Sequence, residues 1–154
     1  MSFRITGLRS ADFSHWFAMS DAELAQHHAV RRVAASKPGF PCRISLTDAE
    51  VGEEVLLVNF EHLPVASPYR SRHAIYIRAN EQTFDAVDRV PEMLRTRALS
   101  LRGFDASGMM TAADVVDGSE LEAAIEEMLA DPATRYLHAH FAKPGCYAAR
   151  IDRA

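Results

Sequence analysis

Cysteine and lysine are both scarce in this chain. The two cysteines, Cys42 and Cys146, stand far apart and form neither a C-x-x-C pair nor a zinc-finger spacing. A disulfide scaffold and a structural zinc ribbon are thereby excluded, and two isolated thiols in a reducing compartment read as small buried hydrophobes. Of the 17 basic residues only Lys37 and Lys143 are lysine. The remaining 15 are arginine, and beside 25 alanines they read as a coding bias rather than as a set of planar anion-binding forks. Basic charge is not in excess either. A formal charge of -4 and a pI near 6.0 argue against the broad positive surface of a nucleic-acid binder, so no nucleic acid is expected as a partner.

Long hydrophobic runs are missing as well. The longest strictly aliphatic stretch is Val55–Val58, and Met1–Phe13 has no apolar leader-like segment, so no membrane partner is expected and the location is read as cytoplasmic. Internal repeats, low-complexity tracts and Gly/Ser linkers are absent, which favours one domain over 1–154. No G-x-G-x-x-G, Walker A loop, G-x-S-x-G elbow or H-E-x-x-H occurs, so no reaction class or cofactor is announced.

What is present is an ordinary globular composition, 154 residues with 48% hydrophobic and 25% charged. A chain of this length buries roughly 68 to 70% of its unfolded surface and needs neither disulfide nor metal to hold a core. Phe3–Thr6 alternates and predicts a strand, and Phe13, Trp16 and Phe17 sit at helical spacing within Asp12–Met19. Ser20 with Glu23 has the form of a capping box and opens a short helix to about His28. His28–Ala34 and Cys42–Leu46 read as strands around the rigid turn Lys37–Pro41. Glu54–Phe60 is the best candidate for a central strand, covered on both faces. His62–Arg72 reads as a long loop, followed by a strand over His73–Ala79.

Pro91 predicts the start of a short helix to Arg95. Ala98–Phe104 and Met109–Val116 flank the turn Asp105–Gly108 and predict a hairpin. Ser119 and Glu122 suggest a second capping box, opening a helix with Leu121, Ala124, Ile125, Met128 and Leu129 on one face, and Pro132 stops it. Thr134–Ala142 and Cys146–Asp152 then alternate around Lys143-Pro144-Gly145 as a terminal hairpin. The fold class expected from this order is α+β, a mainly antiparallel sheet with two or three short helices in a single domain.

The chemistry-bearing pattern is His138-Ala139-His140. Side chains two apart in a strand share a face, so both imidazoles project together while Leu137, Ala139 and Phe141 turn to the core, and the histidines are either exposed or line a concavity. Two such ligands suit zinc, with His73, His62, Cys42 and Cys146 as candidates for a third, but the spacing selects none of them and no metal ligand is assigned. Whether Cys146 joins the histidines depends on hairpin register, because a one-residue slip exchanges the faces. With Lys143-Pro144-Gly145 as the loop, His138, His140, Cys146 and Arg150 converge. With Pro144-Gly145 alone as the turn, Cys146 and Arg150 face the core. The apolar set Tyr147, Ala149 and Ile151 favours the first register and Pro144-Gly145 the second; the first is adopted. In it His138, His140 and Cys146 are candidate catalytic residues, the thiol activated by a neighbouring cation. The stretch Ser67–His73 offers Tyr69, Arg70, Arg72 and His73 to a carboxylate or phosphate, and Arg43 and Arg150 complete the candidate substrate-binding set.

Several of these segments together resemble a known family. Phe3-Arg4-Ile5, Lys37–Arg43, Gly52–Leu57, Ser67-Pro68-Tyr69, His138-Ala139-His140 and Gly145-Cys146-Tyr147, in that order, are similar to the family of domain of unknown function 1203. The resemblance implies a small single-domain bacterial protein and carries no activity, cofactor or catalytic residue with it. The functions left open are a small-molecule-binding protein or enzyme using the C-terminal hairpin, a metal-binding protein using the histidine pair, and an interaction module or homodimer suggested by Met109-Met110 at the start of a strand.

Overall fold

Short alternating segments separated by tight turns form most of the chain. The computed structural model describes all residues from Met1 to Ala154. In chain order the elements are β1 (Phe3–Thr6), α1 (Asp21–Gln26), β2 (Val30–Val33), β3 (Pro41–Cys42), β4 (Thr47–Asp48), β5 (Glu54–Leu63) and β6 (Ser71–Ile77). They continue with β7 (Asp85–Val87), α2 (Glu92–Arg95), β8 (Ala98–Phe104), β9 (Met110–Asp117), α3 (Leu121–Ala130), β10 (Tyr136–Phe141) and β11 (Tyr147–Arg153). Strands β7-β1-β11-β10-β8-β9 form a six-stranded antiparallel sheet, and β2-β5-β6-β3-β4 form a second sheet whose single parallel contact is Cys42 beside Tyr76. The fold is α+β, as its pattern predicts.

The six-stranded sheet uses its two faces differently. Leu99 and Leu101 of β8, Leu137, Ala139 and Phe141 of β10, and Ala149 and Ile151 of β11 turn to Leu121, Ile125 and Leu129 of α3 and close the larger core. The alternate residues, Ser100 and Arg102, His138 and His140, and Arg150, therefore occupy the other face. Against that face lies the second sheet, whose Leu56, Val58, Ile75 and Ile77 share a core with Phe13, Leu24 and Tyr147. The hairpin β10–β11 is thus buried on both sides.

Asp12–Met19 forms short 3-10 turns. Local chemistry departs from the sequence pattern at four places. Cys42–Leu46 alternates but leaves the strand after Cys42, because the Leu46 amide donates back to the Cys42 carbonyl and Leu46 takes φ 53°. Strand β5 runs on to Leu63, so the connection to β6 is shorter than expected. The expected Ser119 cap of α3 does not form: Asp117 instead caps the 3-10 turn Gly118–Glu120 that leads into α3, its carboxylate accepting from the Ser119 amide and hydroxyl, and Glu122 pairs with Arg95. Strand β7 has no alternating signal and is held at the edge by pairing to β1 and by a two-point contact of Arg4 with Asp85. The Ser20 cap is observed, with its hydroxyl accepting from the Glu23 amide.

Candidate functional site

Two irregularities in strand pairing position the side chains of interest. In β11 the partners run His138 to Arg150, Ala139 to Ala149, then His140 to Tyr147, so Ala148 is an extra residue with no partner in β10. In β5, Glu61 pairs with Arg72 and Leu63 with Ser71, which leaves His62 as the extra residue of a second bulge. Such bulges re-aim one side chain without ending the strand.

The bulge at Ala148 decides the register question in a way neither simple hairpin foresees. Arg150 stays beside His138, as the first register requires, but beyond the bulge Tyr147 comes opposite His140 and Cys146 falls among the core residues with Phe141. The expected convergence of Cys146 with His138 and His140 is therefore corrected. The thiol and the imidazoles lie on different sides of the hairpin.

On the histidine side, cross-strand rows place Arg102, His138 and Arg150 in one line and Ser100, His140 and Tyr147 in the next. Re-aimed by its bulge, His62 closes over both rows from the second sheet. Its ring stands 5.0 Å from that of His140 and 6.2 Å from that of His138, and it stacks on Tyr147. One ring nitrogen from each of the three histidines lies within 4.8 Å of the others. The expectation of exposed or cavity-lining imidazoles is not met, because the second sheet covers them: His138 is 3% and His140 2% exposed. The His140 Nδ1 lies 3.0 Å from the Gly145 carbonyl oxygen, whereas Nδ1 of His62 and Nδ1 of His138 are buried with no hydrogen-bond partner. Burial is the first cause that holds His62 down to about 4 and His138 and His140 down to about 3, with Arg102 adding to it in all three. All three rings are neutral at neutral pH.

On the other side, the turn of the same hairpin helps to wall a cavity of about 530 Å³. Its lining includes Arg43, His73, Arg97, Lys143 and Cys146, with Phe141 and Tyr76, and contains no aspartate or glutamate. Arg43 is 1% exposed. It donates through Nε to the Tyr147 carbonyl at 2.7 Å, through Nη1 to the Pro41 carbonyl at 2.6 Å and through Nη2 to the Cys146 sulfur at 2.9 Å. No carboxylate balances its charge, and burial pulls its pKa below the usual arginine value. Arg97 is paired with Asp48, and both guanidiniums lie over the Phe141 ring at 4.9 and 5.0 Å. Lys143 is exposed and forms no ion pair.

The predicted loop set divides between roles. Arg70 grips Glu61 through two contacts and Arg72 reaches Asn59, so neither guanidinium is free for a ligand. Tyr69 packs edge-on against Phe104, and Arg150 is bonded to Asp152 while lying over the Tyr136 ring. Of the predicted residues Tyr69, Arg70, Arg72 and His73, His73 alone reaches the cavity wall. Arg97 and Lys143 were not foreseen there, since nothing in the sequence brings the end of α2 to the tip of the hairpin. Met109 is exposed beside the edge strand β9.

The fold and site define a class: a two-sheet α+β domain with a buried histidine cluster and a cationic cavity on opposite sides of one hairpin. The chain belongs to the family described as "Protein of unknown function (DUF1203)", whose model matches residues 39–153 and so includes the three histidines, Arg43 and Cys146. Comparison with curated proteins and with solved structures finds no match. No helix is long and apolar enough to cross a membrane.

Proposed function

We propose that the protein binds a small organic anion, a carboxylate or phosphate, in the cavity at the hairpin tip. The observation that carries this reading is Arg43, a guanidinium buried at the cavity wall without a carboxylate partner. An uncompensated buried charge costs several kcal/mol in real proteins, and an anion in the cavity offsets that cost. Lys143 and His73 add positive or donor character at the rim, Arg97 is already neutralised by Asp48, and the wall carries no acidic residue. The volume, about 530 Å³, lies within the usual range of small-ligand sites. Two unpaired thiols and the family resemblance support a bacterial cytoplasmic setting.

Cys146 supports a second, enzymatic reading in which its thiolate attacks the carbonyl carbon of a bound acyl phosphate, the S–C bond forming as the C–O bond to phosphate breaks and phosphate departs with the electron pair. A guanidinium only donates, so the sulfur is the acceptor in the 2.9 Å contact with Arg43, a placement that suits a nucleophile.

Calorimetric titration with inorganic phosphate, acetate and citrate tests the binding reading. Saturable binding of one of them, weakened about tenfold by Lys143→Ala with no change in melting temperature, is the expected result. Absence of saturation by all three at millimolar concentration, or binding indifferent to a Lys143→Ala/His73→Ala double variant, overturns it.

A further inference from the structure

We infer that His62, His138 and His140 form a second, separate site, one that binds a single divalent transition metal ion of the zinc type through three imidazoles and leaves a fourth position for water or an anion. The three rings arrive from two sheets, and their nearest ring nitrogens already lie within 4.8 Å of one another. In a tetrahedral zinc site with Zn–N bonds of about 2.0 to 2.1 Å, ligand nitrogens stand about 3.3 Å apart, so small ring rotations close the present arrangement onto an ion.

Hydrogen bonding separates this reading from simple aromatic packing. His138 is 3% exposed, its Nδ1 is fully enclosed, and neither it nor His62 Nδ1 has a partner. Buried polar atoms are ordinarily paired, and a phenylalanine or leucine would fill the same space without the penalty. An ion held at those nitrogens supplies the missing partner. His140 carries the complementary feature: its Nδ1 lies 3.0 Å from the Gly145 carbonyl, which fixes the proton there and leaves Nε2 with its lone pair, the arrangement expected behind a metal-bound imidazole.

The charges around the cluster point to what fills the fourth position. Arg150 is matched by Asp152, and Arg70 and Arg72 lie against Glu61. Arg102, opposite His138 on β8, has no carboxylate partner and bonds only Ser100. A free guanidinium beside a cation site opposes the bare ion and favours the ion together with a hydroxide or an oxyanion. Three neutral nitrogens suit zinc, cobalt, nickel or copper better than calcium or magnesium, which take oxygen ligands.

Metal-stripped protein titrated with Co(II) and Zn(II), read by visible absorption and by bound-metal analysis, tests the inference. One ion per chain is expected, with the intense visible bands of four-coordinate Co(II) displaced by Zn(II). His62 is the partly exposed member on a bulge, so His62→Ala is expected to fold and to weaken binding by more than about 100-fold, beyond the 10- to 100-fold loss typical of an outer-shell change. Cys146→Ser is expected to leave binding unchanged, which separates this site from an adventitious thiolate complex. No binding at micromolar metal, binding unaffected by His62→Ala, or binding lost with Cys146→Ser each overturns it. Phosphate titration of the anion cavity is unaffected by His62→Ala if the two sites are separate, so failure of one reading is distinguishable from failure of the other.

Discussion

The rings of His62 and Tyr147 are stacked, 5.3 Å between centroids and 8° from parallel, and this contact joins the two sheets at the point where both strands bulge. Tyr147 is 4% exposed and also meets His138 and His140 edge-on. Truncation to alanine is expected to cost about 3 to 5 kcal/mol, as for other large buried aromatics, whereas Tyr147→Phe keeps the ring and costs less than about 1.5 kcal/mol. Urea denaturation of the two variants measures the difference. Similar losses would show that the hydroxyl, not the stacked ring, holds the seam.

Arg43 serves three acceptors on separate segments, and lysine has the charge without the fork. Arg43→Lys is expected to leave at least one buried carbonyl, of Pro41 or Tyr147, without its donor and to lower stability by about 1 to 3 kcal/mol. A lysine variant as stable as the parent in chemical denaturation would mean that water already satisfies these carbonyls.

The two thiols differ in access. Cys42 is 0% exposed inside the second core, while Cys146 is 7% exposed and lines the cavity. Under native conditions iodoacetamide is expected to modify Cys146 alone, and a bound anion to slow that modification. Intact-mass and peptide mass spectrometry read the site and the rate. Equal labelling of both cysteines would deny the cavity any special access.

Acid should unfold the metal-free protein through its histidines before its carboxylates. Burial holds His138 and His140 at about 3, against 6.5 for an unperturbed histidine, so between these values the unfolded chain binds more protons than the folded one. Their contribution is therefore complete above pH 6.5 and is lost as the pH falls toward 3, with a slope of about 1.4 kcal/mol per pH unit for each ring. Urea midpoints between pH 7 and pH 4.5 measure the slope, and His138→Phe is expected to remove about half of the part owed to the pair. A flat profile across that window would show that the rings are hydrated in solution.

The elements that alternate cleanly are legible in the sequence: the hairpins β8–β9 and β10–β11, the capped helix α1 and the inward set Leu137, Ala139 and Phe141 all follow from side-chain period. The site is legible only in part, for two physical reasons. In Tyr147-Ala148-Ala149 every side chain is apolar, so the pattern has no phase there and cannot reveal that Ala148 is the extra residue that sends Cys146 to the other face. His62 sits between Glu61 and Leu63-Pro64, where a proline two residues on makes a strand end look like a loop, so it stands as one of four third-ligand candidates with nothing to single it out. Contacts between sheets leave no local trace. Likewise Arg97 and Lys143 meet across the cavity only because α2 and the hairpin turn dock at one corner.

The second bulge has a kinetic consequence. The hairpin β10–β11 brings His138 and His140 together through contacts a few residues apart, but His62 belongs to a different sheet and a distant part of the chain. An intermediate with the hairpin formed and the sheets undocked holds two of the three imidazoles, and the third arrives only after a long loop has closed, the slow event in folds dominated by non-local contacts. The completed triad is therefore a marker of sheet docking, and a probe that senses all three rings at once reports that step rather than formation of either sheet.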